Sequence, residues 1–136
     1  MKSFFTPRVV ADAKPFWQGC SEHKLKFQNC SACGHIRWPA SVVCPNCLSE
    51  EYEWKEHGGE GTLYSFIVFR RAFHPSLEAE IPYVVAVIDL DGGPTILAGI
   101  SGSKSEEIHC GARVRVVWDD DQGKDEQVDI PAFEMV

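Results

Sequence analysis

Cys30-Ser31-Ala32-Cys33 and Cys44-Pro45-Asn46-Cys47 form two C-x-x-C pairs separated by ten residues. That spacing can bring four sulfurs to one metal ion at tetrahedral geometry. A redox C-x-x-C usually opens a helix in a βαβ setting, and neither pair here is followed by helical sequence. Gly34, directly after Cys33, suits the left-handed conformation that a metal knuckle demands; the matching place in the second turn holds Leu48. Leu25 and Phe27 alternate with polar residues before the first pair, as Tyr52 and Trp54 do after the second, so short strands flank the cluster. The pattern is that of a zinc ribbon holding one structural ion, zinc or iron, on Cys30, Cys33, Cys44 and Cys47. Four thiolates close the coordination shell, which argues against hydrolytic metal chemistry.

From Gly58 the pattern changes. Thr62–Arg70, Tyr83–Leu90 and Thr95–Ile100 read as strands, the last two joined by an Asp91-Gly92-Gly93 turn. Ser103-x-x-Glu106 has the form of a capping box and predicts a helix ending near Gly111. Cys110 falls at its end and is expected to be buried. Ala112–Trp118 alternates, and Gln127–Met135 makes a fifth strand, with Pro131 confining one end to an edge or bulge. The order β-β-β-α-β-β is that of an OB-fold, a five-stranded, partly open barrel, with a small SH3-like barrel as the competing reading. Lys14-Pro15-Phe16-Trp17, and Thr6-Pro7 before it, predict one or two short helical turns, and Phe4, Phe5, Phe16 and Trp17 need burial. The expected fold is therefore mostly β: a short N-terminal helical segment (1–23), a zinc ribbon (24–57) and an OB-fold barrel (58–136). Gly58-Gly59-Glu60-Gly61 is short for a flexible linker, so the two modules should pack closely.

Charge narrows the function. Residues 1–60 carry seven basic and seven acidic side chains, whereas residues 61–136 carry six and thirteen, so the net −7 arises in the second half. Phosphate neutralisation by Lys and Arg is therefore disfavoured there, and a single-stranded nucleic-acid binder is the weaker alternative. No apolar run approaches the roughly 20 residues of a membrane span, and residues 1–8 lack a signal-peptide core. A cytoplasmic location is the expectation. Six cysteines in a reducing compartment are ligands and free thiols rather than disulfides. No P-loop, G-x-G-x-x-G, H-E-x-x-H or G-x-S-x-G motif is present. Of the histidines, His74 in Arg70-Arg71-Ala72-Phe73-His74-Pro75 lies in the long connection after the first barrel strand, where OB-folds commonly bind ligands.

Several motifs occur together: Pro15-Phe16-Trp17, Cys30-x-x-Cys33-Gly34, Trp38-Pro39, Cys44-Pro45-x-Cys47, Gly59-x-Gly61-Thr62, Ile81-Pro82-Tyr83, Gly111-Ala112-Arg113 and Pro131-Ala132-Phe133. The chain resembles two-domain zinc-ribbon (rubredoxin-like) plus OB-fold proteins associated with acyl-CoA metabolism, from about Phe16 to Phe133. Leu48 in place of a second knuckle glycine is a departure. The resemblance implies an accessory subunit, not an enzyme on its own and with no catalytic residue. Its partner would be a thiolase-fold enzyme acting on CoA thioesters, such as a ketothiolase, aldolase or acyltransferase. It also implies a CoA thioester as ligand. CoA phosphates call for Arg or Lys and its adenine for an aromatic wall. Arg70, Arg71, Phe73 and His74, with Arg37 and Trp38 between the knuckles, are the residues expected to serve, either on CoA or on the partner.

Overall fold

The structure is a computed structural model that describes residues 10–118 and 129–136. Phe4, Phe5, Thr6-Pro7 and the first two residues of the fifth expected strand lie outside that range. A 3-10 turn at Ala11–Ala13 leads into helix α1 (Lys14–Ser21). Pro15 sits in the first turn of α1, where its missing N–H costs no helical hydrogen bond. Phe16, Gly19 and Cys20 form the buried stripe of α1. The Phe16 ring lies 6.1 Å from Phe27 and 4.7 Å from Trp38, tying the helix to the ribbon.

The ribbon is a three-stranded antiparallel sheet of β1 (Leu25–Cys30), β2 (Ile36–Arg37) and β3 (Tyr52–His57), in the order β2-β1-β3. Its few strands bury only a handful of apolar side chains, chiefly Leu25 and Phe27. Metal binding therefore has to supply much of its folding free energy.

The second half closes into a barrel of β4 (Glu60–Phe69), β5 (Tyr83–Leu90), β6 (Thr95–Ile100), β7 (Arg113–Trp118) and β8 (Pro131–Met135), in the order β4-β5-β6-β8-β7. β7 pairs back onto the start of β4, and β8 inserts parallel to β6. This is the five-stranded OB topology, closed rather than partly open. Pro131 opens β8 opposite Trp118, a position that proline tolerates because the strand begins there. Leu63, Ala86, Ile88, Val114 and Phe133 are fully buried inside the barrel. Phe16, Cys20, Leu25 and Phe27 belong to the same apolar cluster, so the two halves share one core.

The expected helix after β6 is a correction. Only a single 3-10 turn, Ser105–Glu107, forms there. The turn starts from Lys104 rather than Ser103: the Glu107 carboxylate accepts from the Lys104 N–H at 3.3 Å, and the Glu107 N–H donates to Lys104 O at 2.9 Å. Ile108 is 5% exposed and extended, and it drags the chain out of the helix into the core. The next residues then pair with β4: Gly111 N–H donates to Leu63 O at 2.8 Å, and Leu63 N–H to Ala112 O at 2.9 Å. Cys110, expected to be buried, is exposed as a result.

The junction between the halves is tight. Only Gly58 and Gly59 separate β3 from β4, and Gly59 has φ +78°. A Cβ on Gly59 would lie 2.4 Å from a Val116 methyl, so only glycine fits. Gly59 N–H donates to His57 Nδ1 at 3.0 Å, which leaves the hydrogen on Nε2 to donate to Asp91 O at 2.6 Å. His23 stacks on Trp118 at 5.3 Å, a second link across the seam. No helix among the described residues is long and apolar enough to cross a membrane.

Candidate functional site

Each C-x-x-C pair closes a turn with the same backbone grammar. Gly34 N–H donates to Cys30 O and Cys30 N–H to His35 O; Leu48 N–H donates to Cys44 O and Cys44 N–H to Ser49 O, all at 2.9 Å. Gly34 (φ +78°) and Leu48 (φ +65°) both take the left-handed conformation, so the second knuckle forces a leucine where the first has glycine. The four Sγ atoms lie within 4.8 Å of one another, with Cys30–Cys47 at 3.6 Å and Cys33–Cys44 at 3.7 Å. A tetrahedron of sulfurs about 2.3 Å from a zinc ion has edges of about 3.8 Å, so the cluster fits that ion.

The electrostatics agree. Backbone N–H groups of Cys33 and Ala32, with Arg37 nearby, pull the Cys30 thiol down to about 5 against the cost of burial. Cys44 is opposed by burial, yet the N–H groups of Cys47 and Asn46 bring it below its ordinary value. The Ser49 N–H lowers Cys47, but burial and the other three sulfurs win and push it up to about 12. Four thiolates this close ionise together only around a cation, the chemistry of a divalent metal site.

Arg37 is the main correction among the expected site residues. It is 1% exposed and spans the loop between the knuckles. Its guanidinium donates to Ser41 O, Val42 O, Ser49 O and Glu51 O at 2.9–3.2 Å and lies 4.8 Å over the Tyr52 ring. A guanidinium occupied in this way has no donors aimed at a surface ligand. Trp38, half-buried, packs its ring against Phe16 and Phe27.

Arg70, Arg71, Phe73 and His74 lie together in the β4–β5 loop, all exposed. Arg71 stacks 5.5 Å over Phe73, whose ring meets Phe69 edge-on at 6.2 Å; Phe69 in turn stacks on Tyr83 at 4.8 Å. His74 Nδ1 accepts from Ser76 N–H at 3.1 Å and caps the 3-10 turn Pro75–Leu77. This loop and the Arg37–Trp38 pair do not form one site. The loop's ring contacts run to Phe69 and Tyr83, whereas Trp38 packs on Phe16 and Phe27 and Arg37 on Tyr52. Sequence reasoning missed a cleft of about 200 Å³ beside the loop, bounded by Glu80, Tyr83, Ile100 and the serines 101, 103 and 105. The Ser101-Gly102-Ser103-Lys104-Ser105 run was its signal, but the capping pattern claims the same residues for a helix start.

Residues 17–53 match the family described as "ChsH2, rubredoxin-like zinc ribbon domain", and residues 54–119 match "ChsH2, C-terminal OB-fold domain". The chain belongs to the ChsH2 family. Among its relatives, the "Probable enoyl-CoA hydratase alpha subunit" of Thermomonospora curvata is 30% identical over 93% of the chain. The "Benzoylsuccinyl-CoA thiolase subunit BbsA" of Thauera aromatica is 33% identical over 58% of it. The chain spans 38% of the first relative's length and 53% of the second's. A solved chain of the "Ltp2-ChsH2(DUF35) aldolase" superposes with a TM-score of 0.83 at 29% identity, covering 96% of this chain and 98% of that one. The ChsH2-type ribbon and barrel thus account for both halves of the fold.

Proposed function

We propose that the chain is a non-catalytic accessory subunit that binds a thiolase-fold enzyme and helps it handle a CoA thioester. The carrying observation is the near full-length likeness to a chain of the "Ltp2-ChsH2(DUF35) aldolase". Relatives bearing the names of a hydratase subunit and a thiolase subunit support the same class of partner. In this reading the chain divides into an N-terminal segment (1–23), a ribbon (24–57) and a barrel (58–136), and a single zinc on Cys30, Cys33, Cys44 and Cys47 holds the ribbon's shape. The zinc is structural and performs no chemistry. The barrel from 58 onward supplies the ligand-facing loop, and the protein works in the cytoplasm.

Arg70 and Arg71 are the cations offered to CoA phosphates, Phe73 the wall for its adenine and His74 the brace of the loop. Two exposed guanidiniums beside an exposed ring suit a phosphate-bearing nucleotide, and the cleft past Tyr83 gives the remainder of the ligand a path. The test is co-expression with a thiolase-fold enzyme from the same host. The complex should form, and the double variant Arg70→Ala/Arg71→Ala should raise the KM for the CoA substrate while the complex stays intact. Dissociation by that variant would make the loop an interface, and a partner fully active and soluble without this chain would refute the accessory role.

A further inference from the structure

Outward positions of a small antiparallel barrel are ordinarily polar. Over the half of β4, β5 and β6 nearer the β4–β5 loop they are mostly apolar. The strand register aligns Ser65 with Val87 and Leu97, Ile67 with Val85 and Gly99, and Phe69 with Tyr83. Across those three rows no residue is charged. Tyr64, the extra residue at the β4 bulge, adds an aromatic ring. Tyr64 and Leu97 are each 70% exposed and Ile67 59%. The next outward row is polar: Thr62 aligns with Asp89 and Arg113, and Asp89 with Thr95; beside it Arg113 pairs with Asp91 and Arg115 with Glu134. The outer surface is therefore charged towards the start of β4 and apolar towards its end, where β5 from Tyr83 to Ile88 is apolar on both faces.

We propose that this outward face of β4–β5–β6, centred on Ile67, Val85, Val87 and Leu97, is where the partner enzyme docks through an uncharged apolar surface of its own. The proposal rests on the accessory-subunit reading above and names its interface. The exposed apolar surface is on the order of 500 Å², taking an aromatic side chain as roughly 200 Å² and an aliphatic one as somewhat less. One side of a standard interface buries about 800 Å², of which about 65% is apolar at its core. The face thus supplies the apolar share of one such interface. It is also continuous with the loop assigned to CoA: Phe69 and Tyr83 end the apolar rows and touch, through Phe73, the Arg71 guanidinium. A partner seated here lies against that loop.

The test is co-expression of the wild-type chain and two variants with the thiolase-fold subunit. Leu97→Asp combined with Ile67→Asp places charges in the apolar rows at exposed positions, so the chain should fold and retain its metal. Arg115→Ala in the charged part is the control. Co-purified partner should fall at least about tenfold with the aspartate variant and be unchanged with Arg115→Ala. Stoichiometric partner with the aspartate variant would overturn the assignment of this face while leaving the accessory role standing. No partner with the wild-type chain would overturn both. A wild-type chain that sediments alone as a dimer, with the aspartate variant monomeric, would make the face a self-association surface and overturn the proposal as well.

Discussion

The two zinc knuckles invite a matched pair of substitutions, because they share hydrogen bonds and differ in one residue. Gly34 and Leu48 both hold left-handed backbone, with φ +78° and +65°. A side chain in that region costs roughly 1–2 kcal/mol. Nothing lies within 4 Å of a Cβ built on Gly34, so Gly34→Ala should meet the backbone cost alone. Loss of glycine's freedom in the unfolded chain returns about 0.4–1 kcal/mol, leaving a net destabilisation of about 1 kcal/mol. Leu48 is 75% exposed, so Leu48→Gly gives up little buried surface. Relief of the left-handed strain should exceed the entropy of a new glycine, for a gain of about 0.5 kcal/mol. Ribbon folding is linked to metal binding, so both effects should appear in apparent zinc affinity measured against a competing chelator. At 1.4 kcal/mol per tenfold, Gly34→Ala should weaken retention about fivefold and Leu48→Gly should tighten it about twofold. A weakening by Leu48→Gly, or no change with Gly34→Ala, would refute the claim that backbone strain distinguishes the two turns.

Three further outcomes are expected. Freshly purified protein should contain one zinc per chain by elemental analysis; Cys33→Ser should lose it and unfold the ribbon by circular dichroism while much of the barrel core persists. Burial first, and the charge of Asp129 second, push the Cys20 thiol up to about 12. A thiol raised in the folded state contributes stability that is whole below its unfolded value of about 9 and is lost as pH climbs towards 12. Iodoacetamide at pH 8 should accordingly label exposed Cys110 and spare Cys20 in zinc-loaded protein, as read by mass spectrometry; labelling of Cys20 would contradict the burial. The acidic barrel, with Arg113 and Arg115 already engaged by carboxylates, should bind no single-stranded oligonucleotide at about 150 mM salt; micromolar affinity in a fluorescence titration would overturn this.

What could be read from the sequence was local. The C-x-x-C pairs, the Asp91-Gly92-Gly93 turn and the bounds of β5 and β6 each follow from neighbouring residues, and the structure reproduces them. The misread segment, 103–111, also carries a valid local signal. Burial of Ile108 and the pairing of Gly111 and Ala112 with Leu63 override it, and that pairing depends on a residue more than forty positions away. Arg37 escaped for a related reason. A charged residue between two exposed knuckles is normally at the surface. Its burial depends on four carbonyls from residues 41, 42, 49 and 51, which converge only after the loop has folded around it. The apolar outer face was half visible: the run Tyr83–Ile88 has no polar residue, but only the register shows that Leu97 and Ile67 extend it.

The imidazole of His57 fills the space where Gly93 lacks a side chain. A Cβ at position 93 would lie 2.8 Å from Nε2. The ribbon's last strand is therefore pinned against the β5–β6 hairpin by two positions that lie thirty-six residues apart and have to fit each other. Divergence at either one is constrained by its counterpart. A lineage that places any side chain at 93 must shrink or move the group at 57, and with it goes the bond to Asp91 that ties β3 to the β5–β6 turn. In an aligned family these two positions should drift together, and chimaeras that join the ribbon of one member to the barrel of another should fail unless both are carried across.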